Sequence, residues 1–180
     1  MYLKSALIVA FSLAFATVAN ADPRPLGFEL GKATVSQVQS KYSLRHNGTN
    51  AYSNGPMYYI SPNEIGLNGL QECLFIFTPN NVLDGAVMTF NAGKSIGGES
   101  FFDNLVRQFK AKYRTISVQR PFVGNAYAKF RDGNSIIEID SPHMSFSLEV
   151  RYLTDSFENS FKSQQRSKQQ QTEQNQMNLL

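Results

Sequence analysis

The chain has 180 residues, of which 42% are hydrophobic and 17% are charged, and its formal net charge is +3. This composition is typical of one globular domain and excludes a disordered chain. The near-neutral balance of basic and acidic residues does not favour nucleic acid as a partner. The single cysteine, Cys73, excludes an intramolecular disulfide, and we expect it to be a small buried hydrophobe, with pairing between chains as the alternative.

The first 21 residues have the pattern of a cleavable bacterial signal peptide. Lys4 is a cationic start, residues 6–18 form a small and apolar run, and Ala19-Asn20-Ala21 suits signal peptidase. The run is shorter than the roughly 20 apolar residues that span a bilayer. We therefore expect a periplasmic or extracellular protein without stable membrane insertion after cleavage; a buried N-terminal helix is the alternative.

The first half of the remaining chain predicts one short helix and a strand hairpin. Thr34 and Gln37 have the spacing of a capping box, in which each side chain binds the other residue's amide at a helix start. Residues 70–77 and 82–90 are apolar runs on either side of a turn at 78–81, which predicts a hairpin. Both faces of the strand 70–77 are apolar, so a helix or a partner must cover the second face.

The second half predicts a longer helix and two more strands. The helix spans residues 100–113 and has one apolar stripe: Phe102, Leu105, Val106, Phe109 and Tyr113. Asp132-Gly133 has the residues of a tight hairpin turn. In residues 144–152 every second residue is apolar, which predicts a strand with one face on the core and one in water.

The carboxyl end predicts a short helix and a tail. Phe157 and Phe161 are four residues apart, so a helix over 155–161 can cover the second face of the strand 70–77. Residues 163–180 are rich in glutamine and have almost no apolar side chains to bury, which predicts a disordered tail, with a fraying extension of the preceding helix as the alternative.

Two similar stretches indicate a tandem repeat. The triplet Asn-Ala-Tyr occurs at 50–52 and 125–127, each after a predicted helix and each before an apolar strand, a Ser-Pro pair and a further apolar strand. The matched strands are MYYI (57–60) with SIIEID (135–140), and the Ser-Pro pairs stand at 61–62 and 141–142. This shared order predicts a duplicated helix-plus-meander unit.

The predicted architecture is a single α+β domain over residues 22–162. Its two units span about residues 28–90 and 98–153. Together they form one sheet covered by helices, because one helix and a few strands cannot close a core alone.

With its helix start LGKATVSQV at 30–38, this pattern resembles the fold of the β-lactamase inhibitory proteins and, more loosely, the small outer-membrane lipoproteins of the SmpA/OmlA type. The resemblance covers roughly residues 28–153. The lipid-bearing cysteine of those lipoproteins is missing, so it implies no membrane tether. It implies a concave antiparallel sheet that binds another protein, with no active site.

The sequence has no recognisable catalytic or cofactor motif. His46 and His143 stand about a hundred residues apart without a nearby pattern of metal ligands, so we expect loop histidines, no metal and no cofactor. Glu138 and Asp140 share the solvent face of a strand, where two exposed acids are ordinary. A hydrolase with a cryptic site is an alternative that needs one histidine beside a serine and an acid.

Two sets of residues are candidates for binding a partner. Arg107, Lys110 and Arg114 have the spacing of one helix face within a segment that lacks acids, which is typical of a solvated helix face, with a site for an anionic partner as the alternative. The other set is aromatic and is expected to be exposed in part: Tyr52, Tyr58, Tyr59 and Tyr127. We therefore expect a binding protein for another protein, not for nucleic acid. A second copy of the chain is an alternative partner, and carriage of a small ligand or lipid is an alternative function.

Overall fold

The computed structural model describes residues 22–93 and 99–178. The predicted signal peptide lies outside these residues and stays a prediction. The described helices are α1 (Val35–Gln39), α2 (Pro62–Ile65), α3 (Phe101–Lys112) and α4 (Asp155–Met177). The described strands are β1 (Leu44–Thr49), β2 (Pro56–Ile60), β3 (Leu70–Phe77), β4 (Leu83–Asn91), β5 (Arg114–Gln119), β6 (Ala126–Asp132), β7 (Ser135–Ser141) and β8 (Ser147–Thr154).

The order of the strands repeats one arrangement twice. The sheet reads β1-β2-β3-β4-β8-β7-β6-β5, so each set of four strands is a meander and the two meanders meet where β4 pairs with β8. Helix α1 precedes the first meander and α3 precedes the second. All strand pairs are antiparallel. The predicted α+β fold of two tandem helix-plus-meander units in one sheet is confirmed.

The detailed matching of the two halves is wrong by one strand. Asn-Ala-Tyr stands just before β2 in the first unit and at the start of β6 in the second, so those triplets correspond. The Ser-Pro pair at 61–62, however, follows β2, whereas the pair at 141–142 follows β7. The equivalent of MYYI is therefore β6 rather than SIIEID, because the half-polar β6 was not counted as a landmark.

Helices α1 and α3 cover one face of the sheet, which we call the first face. Val38 of α1 and Val106 of α3 pack into one core with Phe75 of β3 and Phe130 of β6. Each such side chain contributes about 1.5–3 kcal/mol on burial. Both predicted helix starts are confirmed, because the capping box at Thr34 forms and the Ser100 hydroxyl accepts a hydrogen bond from the Asp103 amide.

The strand predicted over residues 144–152 begins later than expected. Leu148, Val150 and Tyr152 are buried on the first face, as their alternation predicts. Met144 and Phe146, which belong to the same apolar series, are exposed. They precede β8 because the Ser145 amide donates to the Pro142 carbonyl and closes a turn there, so the alternation does not mark the start of the strand.

The start of α4 covers part of the opposite face, which we call the second face. Phe157 packs there against Ile76 of β3 and Leu153 of β8, and Tyr52 lies edge-on to Phe157 and Phe161. The second apolar side of β3 is thus covered near Ile76 by the C-terminal helix rather than by a partner.

Helix α4 differs from the expected short helix and disordered tail, since it continues to Met177. Residues 165–177 are exposed and bury nothing, so packing does not hold this part. Glutamine and lysine are good helix formers, neither glycine nor proline interrupts the segment, and side-chain bonds such as Gln169 to Glu173 link successive turns. The segment is exposed as predicted, and its helical backbone corresponds to the alternative of an extended preceding helix rather than to a disordered tail.

The single cysteine is buried in the first-face core, as predicted. Burial raises the pKa of the Cys73 thiol to about 12, so the thiol stays protonated and unreactive at neutral pH. No helix among the described residues is both long enough and apolar enough to cross a bilayer.

Candidate functional site

A single row of side chains crosses the second face from one meander to the other. Register places residues of seven neighbouring strands directly opposite one another, and paired residues share a face. We call these residues the cross-sheet row: Arg45, Tyr59, Leu74, Val87, Arg151, Glu138 and Lys129. At about 4.8 Å per strand the row is about 29 Å long. Its first half is mostly aromatic and apolar, and its second half is ionic.

The ionic half belongs to a wider cluster on β6, β7 and β8. We call this cluster the charged sheet face: Tyr127, Lys129, Glu138, Asp140, Glu149 and Arg151. The Glu138 carboxylate accepts hydrogen bonds from the Tyr127 hydroxyl at 2.6 Å and from Lys129 Nζ at 3.1 Å. The Arg151 guanidinium lies 3.3 Å from Glu138, 3.3 Å from Glu149 and 3.5 Å from Asp140. One arginine therefore links three carboxylates on two strands.

Exposure is uneven within the charged sheet face. The side chains of Asp140 and Glu149 are 35% and 38% exposed, whereas those of Lys129 and Glu138 are 17% and 15% exposed. Arg151 Nε is buried without a hydrogen bond of good geometry, so the contact of this nitrogen with Glu138 is one of charge rather than of hydrogen bonding. Because Asp140 and Glu149 are the most exposed of these charged side chains, the outer rim of the cluster is acidic.

Helix α4 closes one end of this cluster through ion pairs. Glu158 Oε1 lies 2.5 Å from Lys129 Nζ and 2.7 Å from Lys162 Nζ. Arg131 of β6 donates two hydrogen bonds of 2.9 Å to Asp155, in the bidentate geometry that makes such pairs strong. The helix is thus attached to the second unit by charge and to the first by the aromatic contacts of Tyr52.

The surroundings fix the protonation states of Tyr127, Lys129 and Glu158. Burial, with the hydrogen bond to Glu138, raises the pKa of Tyr127, so its hydroxyl remains a neutral donor. Burial opposes the charge on Lys129, but hydrogen bonds to Glu158 and Glu138 outweigh it and raise the pKa of the amine. Burial also opposes the charge on Glu158, yet its bonds with Lys129 and Lys162 lower the carboxyl pKa. Near neutral pH, Tyr127 therefore stays neutral, whereas Lys129 and Glu158 stay charged.

The four tyrosines predicted to bind a partner do not form one cluster. Tyr52 packs on α4, with its ring centroid 4.8 Å from that of Phe161, and Tyr58 packs on the first face beside Phe77. Tyr59 lies on the second face with the Arg45 guanidinium 5.1 Å from its ring centre, and Tyr127 lies in the charged sheet face. Alternation confirms that Tyr58 and Tyr59 point to opposite faces. Tyr52 also lies on the second face but is packed against α4, and Tyr59 and Tyr127 are five strand spacings, or about 24 Å, apart.

The predicted basic set is also divided. Arg107 and Lys110 lie exposed on α3, and Arg107 is 3.3 Å from Glu99. Arg114 is not on the helix, because α3 ends at Lys112 and the backbone of Tyr113 is extended. Arg114 begins β5 opposite Arg131 and so lies on the second face. The segment 107–131 that contains this basic set has no acidic residue of its own between its basic residues. In the fold, however, acids from other parts of the chain pair with its Arg120, Lys129 and Arg131.

A polar cleft and an apolar cavity are further concave sites among the described residues. A polar cleft of about 580 Å³ lies between β1, β2, β3 and α2, with Arg45, Tyr59, Glu64 and Glu72 among its lining residues. A mainly apolar cavity of about 300 Å³ lies between α3 and the first face, lined by Phe90, Phe101, Leu105 and Phe109 among others. Tyr59 therefore connects the polar cleft to the cross-sheet row.

Neither histidine has the partners of a catalytic base in the described part of the chain. His46 lies in β1, where its ring is edge-on to Tyr58, and its Nδ1 accepts a weak hydrogen bond from the Gly48 amide. The backbone amide of His143 donates to Asn125, and no side-chain bond joins His143 to a serine or a carboxylate. Within residues 22–93 and 99–178, no group of three His, Cys, Asp or Glu side chains is placed to hold a metal ion. The expected lack of catalysis and cofactors stays a prediction.

No protein-family model matches the chain, and neither the curated proteins nor the solved structures include a match. The resemblance to inhibitory proteins and small lipoproteins therefore stays a prediction.

Sequence reasoning missed most of the charged sheet face. Glu138 and Asp140 were interpreted as ordinary exposed acids, and Lys129 and Arg151 were not linked to them. A usable signal was present, because charges alternate with apolar residues in three predicted neighbouring strands. Correct register between those strands would have placed Lys129, Glu138 and Arg151 side by side.

Proposed function

We propose that this chain is an exported, non-enzymatic protein that binds another protein through the second face of its sheet. The observation that carries the proposal is the cross-sheet row, which joins aromatic and apolar side chains to a fixed ionic cluster on one surface. Export, to the periplasm or beyond the cell, rests on the pattern of residues 1–21.

The charged sheet face is organised before any partner arrives. Glu138 holds the ends of Tyr127, Lys129 and Arg151 in place through short contacts within the protein. Side chains that are already ordered lose little conformational entropy on binding, which favours affinity. Tyrosine and arginine are also the residue types that most often dominate binding energy at protein interfaces.

The row has the composition of a protein interface. Leu74 and Val87 are partly buried apolar residues at its centre, with Tyr59 on one side and Arg151 on the other. An apolar centre beside polar and charged groups is the usual arrangement of such surfaces. The cross-sheet row therefore offers both a contact that excludes water and charges that set orientation.

The sign of the charge indicates the partner. Three carboxylates face two cations in the charged sheet face, and its most exposed groups are Asp140 and Glu149. Complementary charge speeds association and excludes wrong partners. We therefore propose a partner whose contacting surface is basic, rather than the anionic partner that the basic set on α3 would favour.

Capture from envelope and culture-medium fractions tests this proposal. The bait is compared with a variant carrying Asp140→Asn and Glu149→Gln, which keeps the shape of the rim and removes its charge. The matched control is Glu173→Gln, which removes one charge from the exposed part of α4. Wild type and control are expected to capture the same protein, and the double variant is expected to lose most of it.

Salt provides an independent readout of the same contact. Rim charges act mainly on the association rate, so capture by the wild type is expected to weaken as ionic strength rises. Equal, salt-independent capture by the wild type and the double variant would contradict a role for the charged sheet face.

Carriage of a small apolar ligand is the second candidate function. The apolar cavity of about 300 Å³ between α3 and the first face supports it, because this volume is at the lower end of the range for small-molecule sites. A naphthalene-based fluorophore tests whether the cavity takes up an apolar compound. Uptake that Leu105→Trp abolishes, without loss of folding, would favour carriage; no uptake by the wild type would exclude it.

A hydrolase with a cryptic site has no supporting contact among the described residues, since neither His46 nor His143 reaches a serine hydroxyl or a carboxylate by a hydrogen bond.

A further inference from the structure

Two loops at one end of the sheet expose their largest apolar side chains. Strands β5 and β7 end where β6 and β8 begin, so the loop 120–125 and the turn 142–146 lie at the same end. Phe122 is 103% exposed, Val123 68%, Met144 90% and Phe146 78%. We call these four residues the apolar tips. They include the most exposed large hydrophobic side chains of the described chain.

The two loops form one surface. The His143 amide donates a 2.8 Å hydrogen bond to the Asn125 side chain, which ties the turn to the loop. Phe122 and Met144 line the same shallow depression. Phe122 and Met144 are therefore held beside one another by the fold.

Folding does not explain the methionine at position 144. Met144 has φ 58°, a left-handed conformation that glycine or asparagine adopts with less strain. The turn that needs this conformation is closed by the hydrogen bond from the Ser145 amide to the Pro142 carbonyl. A methionine here costs backbone strain and buries almost nothing, and strained positions of this kind cluster at functional sites.

Charge distinguishes this surface from the charged sheet face. Neither residues 119–126 nor residues 141–147 contain an aspartate or a glutamate. Their only basic side chains are those of Arg120 and His143. Arg120 pairs with Asp103 of α3 at 2.7 Å, so the loops are close to neutral rather than strongly basic. Apolar contact, not charge, must dominate whatever binds here.

We propose that the apolar tips insert into the interfacial layer of a lipid bilayer and hold the domain at a membrane surface. Side chains that project from separate loop tips suit a fluid surface, which adapts to their shape, better than a protein surface, which needs complementary pockets. The lack of acids in both loops removes repulsion from anionic headgroups. The attachment is peripheral, which agrees with the finding that no described helix can span a bilayer.

Tryptophan fluorescence gives a direct test, because the chain has no tryptophan. The full chain is purified in the form that its cells accumulate, with Phe122→Trp as the only reporter. Vesicles of phosphatidylcholine and phosphatidylglycerol are expected to shift its emission to the blue, and brominated acyl chains are expected to quench it. The matched control, Met177→Trp at the exposed end of α4, is expected to show neither effect.

Co-sedimentation with the same vesicles measures the strength of attachment. Replacement of Phe122 and Met144 by serine is expected to weaken binding by about tenfold or more, because each loses the transfer of an apolar side chain from water. Met177→Ser is the control and is expected to bind as the wild type does. Since residues 1–21 are treated alike in all variants, they cannot produce a difference between them.

Three results would overturn the proposal. They are no binding of the wild type to vesicles, equal binding by the wild type and the Phe122→Ser/Met144→Ser variant, or an emission shift that depends on protein concentration without lipid. The last result would assign the tips to contact between two copies of the chain. If the Phe122→Ser/Met144→Ser variant loses vesicle binding but still captures the same protein as the wild type, membrane attachment and partner binding use different surfaces, and the two proposals are tested separately.

Discussion

The two meander units have the same topology but differ in the side chains that they place on the second face. The first unit contributes Tyr59, Leu74 and Val87 to the cross-sheet row, with Arg45 as its one charged member. The second unit contributes only charged residues, Lys129, Glu138 and Arg151. Strand order and register determine where each side chain stands, and the residue at that position determines its chemistry. Similar architecture in the two halves therefore does not imply similar function.

The largest expected effect concerns the first face, where the units are alike. Phe75 of the first unit and Phe130 of the second are both fully buried in one core. We expect Phe75→Ala and Phe130→Ala each to lower the free energy of unfolding by about 3–5 kcal/mol, because each leaves a cavity. Urea denaturation measures both. A much smaller loss in one variant would contradict the full burial of that side chain.

A smaller effect is expected on the second face of the second unit. Lys129→Ala removes the cation between Glu138 and Glu158, and we expect a loss of about 1–2 kcal/mol. The loss stays below that of a fully buried pair because Glu158 keeps Lys162 and Glu138 keeps Arg151. Lys110→Ala, on the exposed side of α3, is the control and should change stability by less than about 0.5 kcal/mol.

Acid is expected to weaken the second unit through Glu158. Its pKa is lowered in the folded state from an ordinary value of 4.5, so its contribution to stability is present above that value and is lost as pH falls through the lowered pKa. We therefore expect the unfolding midpoint of Glu158→Gln to fall less steeply than that of the wild type below about pH 4.5. The exposed-helix variant Glu173→Gln should follow the wild-type curve. Identical curves for Glu158→Gln and wild type would contradict the ion pair.

The smallest effect is expected in the exposed part of α4. Gln170→Pro should break the helix there and reduce the helical circular dichroism signal, since proline removes a backbone donor and clashes with the preceding turn. The free energy of unfolding should change by less than about 0.5 kcal/mol, because residues 165–177 bury nothing. A large loss of stability would mean that this segment packs on the domain.

Hydrophobic periodicity predicted the parts of the fold that have a buried side. The apolar stripe of α3 and the central strands have a strong repeat, and their burial follows from it. Strands β1 and β5 were not predicted. They are the two edges of the sheet, and most of their side chains are exposed, so no apolar alternation marks them.

The candidate site was less predictable because it depends on register between strands. Tyr59 and Tyr127 were named from sequence and do lie on the second face. Glu138 and Arg151 acquire their significance only when β7 pairs with β8. The ion pair between Glu138 and Arg151 joins two strands and residues 13 positions apart in the chain, which the periodicity of a single segment does not reveal.

Site-specific photo-crosslinking in cells that produce the protein tests the central claim most directly. Glu149→p-benzoylphenylalanine places the crosslinker on the rim of the charged sheet face, and Lys110→p-benzoylphenylalanine places it on the exposed side of α3. Recognition through the second face predicts a protein adduct at position 149 and none at position 110. An adduct at position 110 alone would contradict recognition through the second face and would identify the basic residues of α3 as the binding surface.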